Sequence, residues 1–236
     1  MLRILTFTAI AFLTGTFGQS QTDFQFYNLA LVKYNLGNYE EARQDLSRAL
    51  ELNPDNVTAY ILRGSASYNL EDYSLAHGDY TEAINLILLE SQGVKVTVTD
   101  RRGNIIESGS STKKDHDLAI LYYNRGLASH ALEDYTGAIA DYTKAIENEP
   151  DQTASYYFRG VAREAVEEYT GAAEDYSSAI ELDKGLAQGY YRRGIILHRL
   201  GDTESACRDW DRALELGLDD ASDQILEFCS NGPAGH

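Results

Sequence analysis

Residues Tyr122 to Pro150 read YYNRGLASHALEDYTGAIADYTKAIENEP, and this stretch decides the fold. Apolar residues recur at three- and four-residue spacing on both sides of Leu132-Glu133-Asp134-Tyr135, which predicts two amphipathic helices joined by a tight turn. Neither helix can bury its apolar face alone. The same pattern returns upstream and downstream, so the chain reads as a stack of copies that shelter one another.

Working outward, the small residue in the middle of each first helix falls at Ala30, Gly64, Gly126, Gly160 and Gly194. The steps are 34, 62, 34 and 34, and the long one holds one period and 28 extra residues. The turn aromatic repeats at Tyr39, Tyr73, Tyr135 and Tyr169, with Thr203 in the last copy. Paired alanines mark each second helix: Ala42 and Ala49, Ala76 and Ala83, Ala138 and Ala145, Ala172 and Ala179, Ala206 and Ala213. Between each pair stands a bulky residue: Leu46, Tyr80, Tyr142, Tyr176 or Trp210. Small residues allow close approach of helix backbones, and the large one fills the space between them. Pro54 and Pro150 close two of the units.

In period and in these slots the chain resembles the tetratricopeptide repeat from about Asp23 to Gly217, apart from the insertion. The departures are Ala30 for glycine, Lys184 for proline and Thr203 for tyrosine. The resemblance implies an all-α, right-handed superhelical solenoid of five helix-turn-helix repeats whose first helices line a concave face. The expected organisation is repeats 1–2 over residues 21–90, an insertion over 91–118, repeats 3–5 over 119–217, a capping helix over 218–230 and a disordered tail over 231–236.

The inner slots of the first helices are the candidate partner-binding groove: Tyr27, Asn28, Tyr34, Tyr68, Asn69, Tyr123, Asn124, His130, Tyr157, Tyr191, Arg192, His198 and Arg199. Aromatic rings tipped with amides and hydroxyls suit an extended or helical peptide. Some of these residues must instead pack between neighbouring first helices. Arg192 and Arg199 form the one basic pair there, either a carboxylate anchor or partners of local acids. His130 and His198 share one slot, which points to a surface role. Some family members grip chaperone C-termini with a Lys, Asn and Arg clamp; those slots hold Tyr27, Leu31, Leu62, Ile120 and Asn124 here, so that activity is not carried over.

A further regularity is Arg-Gly in four first helices (Arg63, Arg125, Arg159, Arg193) and Asp before every bulky residue (Asp45, Asp79, Asp141, Asp175, Asp209). Structural Arg–Asp pairs are expected, either within a copy, as Arg125 with Asp141, or between copies, as Asp141 with Arg159. The first choice orphans Asp45 and the second Asp209.

Composition bounds the rest. The net charge of -17 argues against nucleic acid and anionic membrane surfaces, which require clustered Lys and Arg. Hydrophobic residues at 43% are enough to build a core, so this is no acidic disordered tail. The N-terminus reads as a signal peptide over residues 1–20: Arg3 supplies the positive charge, Ile4 to Phe17 the apolar run, and cleavage follows Gly18 or Ser20. The run of about 14 apolar residues is short of the ~20 needed to span a bilayer. The mature chain is then extracytoplasmic, periplasmic or secreted, without membrane insertion, and the combination looks bacterial.

Within the insertion, Val94, Val96 and Val98 alternate with polar residues and Ile105-Ile106 follows a Gly103-Asn104 turn, which predicts a β-hairpin. Gly109 to Lys114 reads as a flexible linker. Leu218, Ile225, Leu226 and Phe228 are suited to cap the last repeat. Cys207 and Cys229, an even count in an exported chain, read as a disulfide, with two buried thiols as the alternative. The histidines show no motif neighbours, and no phosphate loop, nucleophile elbow or metal-binding pair occurs. The expected function is a non-enzymatic protein-interaction scaffold without cofactor or metal. The alternatives are a self-associating, homodimeric module docking near Leu86 to Leu89, or an accessory subunit of a cell-envelope enzyme complex.

Overall fold

The computed structural model describes residues 14–91 and 111–229, with side chains placed for 23–90 and 114–229. The described residues form helices only: α1 (Thr14–Asn35), α2 (Tyr39–Leu52), α3 (Val57–Asn69), α4 (Tyr73–Ser91), α5 (Ser111–Ala131), α6 (Tyr135–Asn148), α7 (Thr153–Ala165), α8 (Tyr169–Leu182), α9 (Ala187–Arg199), α10 (Thr203–Glu215) and α11 (Ala221–Gln224). A π-helical turn, Ile225–Cys229, follows. They make two compact units divided between Leu121 and Tyr122, within α5.

The expected strands around Val94 to Ser108 lie outside the described residues. The linker expectation needs correction: from Ser111 onward the chain is already α5. Between Gly109 and Leu118 there is no Gly or Pro to stop a helix that the apolar spacing of Leu118, Leu121 and Tyr122 sets further on. At the other end α1 begins at Thr14, so its backbone runs through Gly18 and Ser20.

Each hairpin turns on one residue with positive φ: Gly37, Glu71, Glu133, Glu167 and Gly201. Two are glycines, for which this conformation is free, while the three glutamates adopt it at a cost of order 1 kcal/mol. The second helix begins two residues later, at Tyr39, Tyr73, Tyr135, Tyr169 or Thr203. Asp134 accepts from the Gly137 amide at 2.9 Å and Asp202 from Ser205 at 3.0 Å, each satisfying an orphan donor of the helix start.

The core is the interleaving of small and bulky residues. Ala42, Leu46, Ala49, Ala138, Tyr142, Ala145, Ala172, Tyr176, Ala206, Trp210 and Ala213 are all buried. In the later copies the bulky ring lies flat on the glycine of the first helix. A Cβ on Gly160 would stand 2.8 Å from Tyr176, and one on Gly194 only 2.5 Å from Trp210. The first copy uses Ala30 against Leu46, a smaller pair that fills the same space.

The Arg–Asp question is settled within each copy. Arg63, Arg125, Arg159 and Arg193 each grip the Asp sixteen residues on, with Nη2 to Oδ1 distances of 2.7, 2.6, 2.6 and 2.8 Å. Asp45, orphaned by this choice, is taken by Lys33 Nζ at 2.6 Å. The guanidinium also lies over the tyrosine one turn earlier: Tyr60, Tyr122, Tyr156 and Tyr190, at 5.5–5.7 Å. Such a contact adds about 0.5–1 kcal/mol. Its remaining nitrogen reaches back one copy, with Arg63 donating to Ser47, Arg159 to Thr143 and Arg193 to Ser177. One arginine thus ties three helices together.

The end of the chain closes the last copy. Leu218, Ile225, Phe228 and Cys229 pack on the cluster of Ala206, Trp210, Ala213 and Ala221. Leu226, expected among them, is 70% exposed, because the π turn rotates it outward. A disulfide joins Cys207 to Cys229, with their Cα atoms 5.7 Å apart.

Candidate functional site: the inner slots of the first helices

The candidate residues fall on one side of each first helix, and their surroundings decide what each can do. In the second unit, α5, α7 and α9 place Tyr123, Tyr157 and Tyr191 one period apart, all half-buried. Tyr123 packs on Tyr142 of its own copy at 6.0 Å and on Phe158 of the next first helix at 5.9 Å. Tyr157 contacts Phe158 at 5.2 Å and Tyr176 at 5.7 Å. Tyr191 packs against the Trp210 cluster, and the Trp210 indole donates to its carbonyl at 3.3 Å. Each ring is therefore seated on the bulky residue behind it, which fixes its orientation and leaves part of its surface to solvent.

A polar cluster sits among these rings. Arg192 Nε donates to the Tyr157 hydroxyl at 3.2 Å, and Arg192 Nη1 to Glu164 Oε2 at 3.1 Å. The buried Tyr176 hydroxyl donates to Glu164 Oε1. Burial raises the Tyr176 pKa, and the bond to Glu164 raises it further. Arg192 is thus held by a local acid. Arg199 donates to the Tyr169 hydroxyl and lies over that ring at 4.8 Å. The two arginines do not form a joint basic pocket; each has its own partner.

The histidines are half-buried rather than surface residues. His198 stands 4.2 Å from Phe228 and 5.9 Å from Trp210, with Nδ1 3.0 Å from the Thr203 hydroxyl. It belongs to the closure of the last copy. His130 packs edge-on against Tyr135 at 5.1 Å. Burial lowers its pKa, and the positive charge of Arg192 lowers it further, so neutral imidazole is favoured at neutral pH. Asn124 is half-buried on α5.

The first unit repeats the scheme with less aromatic bulk. Tyr27 and Tyr34 pack beside the Ala30–Leu46 cluster, and Tyr34 stands edge-on to Tyr39 at 5.2 Å. Tyr68 does the same with Tyr73 at 5.2 Å. Exposed Asn69 donates to the Ser65 carbonyl at 2.7 Å and to the Tyr34 hydroxyl at 3.4 Å. Asn28 is half-buried on α1.

Sequence reasoning missed Glu164 as the keystone of the polar cluster, and the hydroxyls Ser47, Thr143 and Ser177 as clasps. The clasps had a signal: a hydroxyl residue directly follows Leu46, Tyr80, Tyr142 and Tyr176. Glu164 had a partial one: the period places it in the inner slot that holds Tyr34, Tyr68, His130 and His198 in other copies, and a local acid was one expectation for Arg192. No group of three or more His, Cys, Asp or Glu residues capable of holding a metal occurs among the described residues. No helix among them is long and apolar enough to cross a membrane.

Comparison with known proteins agrees with this geometry. The tetratricopeptide repeat family model matches residues 24–56 and 119–152. The SGT1 homolog of Bos taurus is 29% identical over 120 residues, 48% of this chain and 35% of that protein. The human SGT1 homolog is 37% identical over 79 residues, 33% of this chain and 22% of that protein. This chain thus spans about a third or less of the length of these curated relatives. Among solved structures, a crystal structure of MamA superposes with a TM-score of 0.68 at 19% identity, covering 86% of this chain and 95% of that one. YrrB, described as a tetratricopeptide-repeat protein with an unusual peptide-binding site, gives 0.66 at 20% identity over 85% and 90%. MamA from Desulfovibrio magneticus RS-1 gives 0.66 at 18% identity over 87% and 97%. At these identities the likeness is one of fold. Tetratricopeptide repeats are thus identified at residues 24–56 and 119–152, and the other hairpins share the helical-hairpin fold of the solved repeat structures.

Proposed function

We propose that this chain is a non-enzymatic scaffold that binds a protein or peptide through the first-helix face, outside the cytoplasm. The observation that carries the reading is the tyrosine ladder Tyr123, Tyr157 and Tyr191. Its rings are held rigidly from behind and are partly exposed in front. Pre-set aromatic surface binds with little loss of side-chain entropy. The Arg192–Glu164 pair beside it supplies a cation and an anion that can exchange partners with a peptide. Tetratricopeptide-repeat proteins serve as interaction scaffolds, and the description of YrrB as having a peptide-binding site supports the same reading here. The apolar N-terminal run of the sequence supports a periplasmic or secreted site of action in a bacterium.

Affinity capture from native envelope extract tests this, comparing the wild-type chain with a Tyr123→Ala/Tyr157→Ala variant whose helicity is verified. A partner retained by the first and lost by the second is expected. Equal capture by both would remove the ladder from the function. N-terminal sequencing of the fractionated protein tests the location, and a cytoplasmic chain beginning at Met1 would overturn it.

A second reading, self-association, is favoured by one stripe: Leu29 and Val32 on α1, and Leu36 just past its end, are 48%, 56% and 71% exposed at helical spacing. Leu89, in the Leu86 to Leu89 patch, is 43% exposed. Light scattering that finds a monomer at micromolar concentration would set this reading aside.

A further inference from the structure

A second surface lies away from the tyrosine ladder. Between α8 and α10 opens a cleft of about 640 Å³, floored by Arg193 and Leu197 of α9 and by its C-cap, Leu200. These residues occupy the opposite side of α9 from Tyr191, Ile195 and His198.

The copy before it shows why this cleft is open. The position equivalent to Leu197 is Arg163, whose guanidinium donates to the Gly171 carbonyl at 3.1 Å and to Asp175 Oδ2 at 2.8 Å. Asp175 accepts this second cation while it is already gripped by Arg159. The first copy does something similar at the same position, where Lys33 reaches Asp45 at 2.6 Å. The second and third copies hold the buried serines Ser67 and Ser129 there. In the last copy Leu197 is short and apolar, and on the opposite wall Ala173 stands where Ile139 stands one period earlier. Asp209 receives Arg193 alone among the described contacts. Its side chain is 9% exposed, against 3% for Asp175.

We propose that this cleft binds an arginine side chain presented by a peptide or protein partner. The guanidinium would take the place that Arg163 fills one copy earlier, against the Asp209 carboxylate. Its aliphatic stem would lie over Leu197 and Leu200. Glu174, whose exposed carboxylate lines the cleft, offers a second acceptor. The other cation in the wall, Arg208, is held by Glu204 at 2.6 Å. With Arg193 on Asp209, and Arg208 on Glu204 outside the cleft lining, Glu174 is the lining carboxylate with no described ion pair. A planar guanidinium with several donors suits two carboxylates better than an ammonium does.

The test is a titration of the isotopically labelled full chain with an acetylated Ala-Arg-Ala amide and with its citrulline counterpart, which has the same shape without the charge. The arginine peptide is expected to shift the amide resonances of Leu197, Ser205 and Asp209. It should bind about tenfold more tightly than the citrulline peptide, because its hydrogen bonds to the carboxylates are charge-assisted. Leu197→Arg rebuilds the internal occupant of the preceding copy, so it should stay folded and abolish these shifts. Equal binding of the two peptides, unaltered binding to Leu197→Arg, or no shift at millimolar peptide would each overturn the proposal. Leu197→Arg changes no ladder residue, and Tyr123→Ala/Tyr157→Ala changes no residue of the cleft, so this site and the ladder can fail independently.

Discussion

The first hairpin and the last solve the same packing problem with different side chains. In the first, Ala30 meets Leu46, Lys33 neutralises Asp45, and Leu29 and Val32 on α1 and Leu36 just past it remain exposed. In the last, Gly194 meets Trp210 and Arg193 grips Asp209 with two nitrogens. There Phe228 and the Cys207–Cys229 disulfide close the outer surface. The repeat therefore specifies combined volume and charge at a slot rather than residue identity. The last hairpin is the more tightly determined of the two, and so the less tolerant of change.

The largest expected difference lies in the buried acids. Arg193→Ala leaves Asp209 buried with no described cation, a change of the kind that costs about 3–5 kcal/mol. Lys33→Ala should cost clearly less, because Arg48 remains 3.8 Å from Asp45. Urea unfolding of the two variants compares them directly, and equal losses would break the contrast.

Next is the covalent closure. Replacing both Cys207 and Cys229 with serine releases a 22-residue loop and should lower stability by about 3 kcal/mol in the chain-entropy model. A reductant should reproduce the loss in the wild type and have no effect on the variant.

The copies between the two ends add a titrating group that neither Leu46 nor Trp210 has. Burial pushes the Tyr80 phenol up to about 12 from 10.0. The folded chain then holds this proton to higher pH than the unfolded chain does. Its contribution is intact below pH 10 and is lost as pH rises towards 12, a total of about 2–3 kcal/mol for one such group. Tyr80→Phe should flatten the alkaline limb of a stability profile, and an unchanged limb would count against the buried phenol.

The smallest effect expected is in the close contact itself. Gly194→Ala puts a Cβ into the Trp210 ring and should cost about 1–3 kcal/mol by overpacking. Ala30→Gly moves the first hairpin towards the later ones, and without a larger partner at Leu46 it should lose about 0.5–1 kcal/mol of helix propensity. Thermal melts of both variants would sharpen or erase the difference in tolerance.

The amino-acid sequence by itself determined the period, the five hairpins, the positions of their turns and the alternation of small and bulky slots. These follow from spacing along single helices and from a repeat that recurs with little change, so each copy confirms the others. Tertiary structure alone decided which Asp each Arg takes, because partners sixteen and eighteen residues away differ only in how helices from adjacent copies approach. It also decided that Arg192 belongs to Glu164, that His198 closes the last copy, and that the slot filled by Arg163 lies open at Leu197. Those outcomes depend on contacts between side chains about one period apart in the chain, and spacing within one helix carries no information about them.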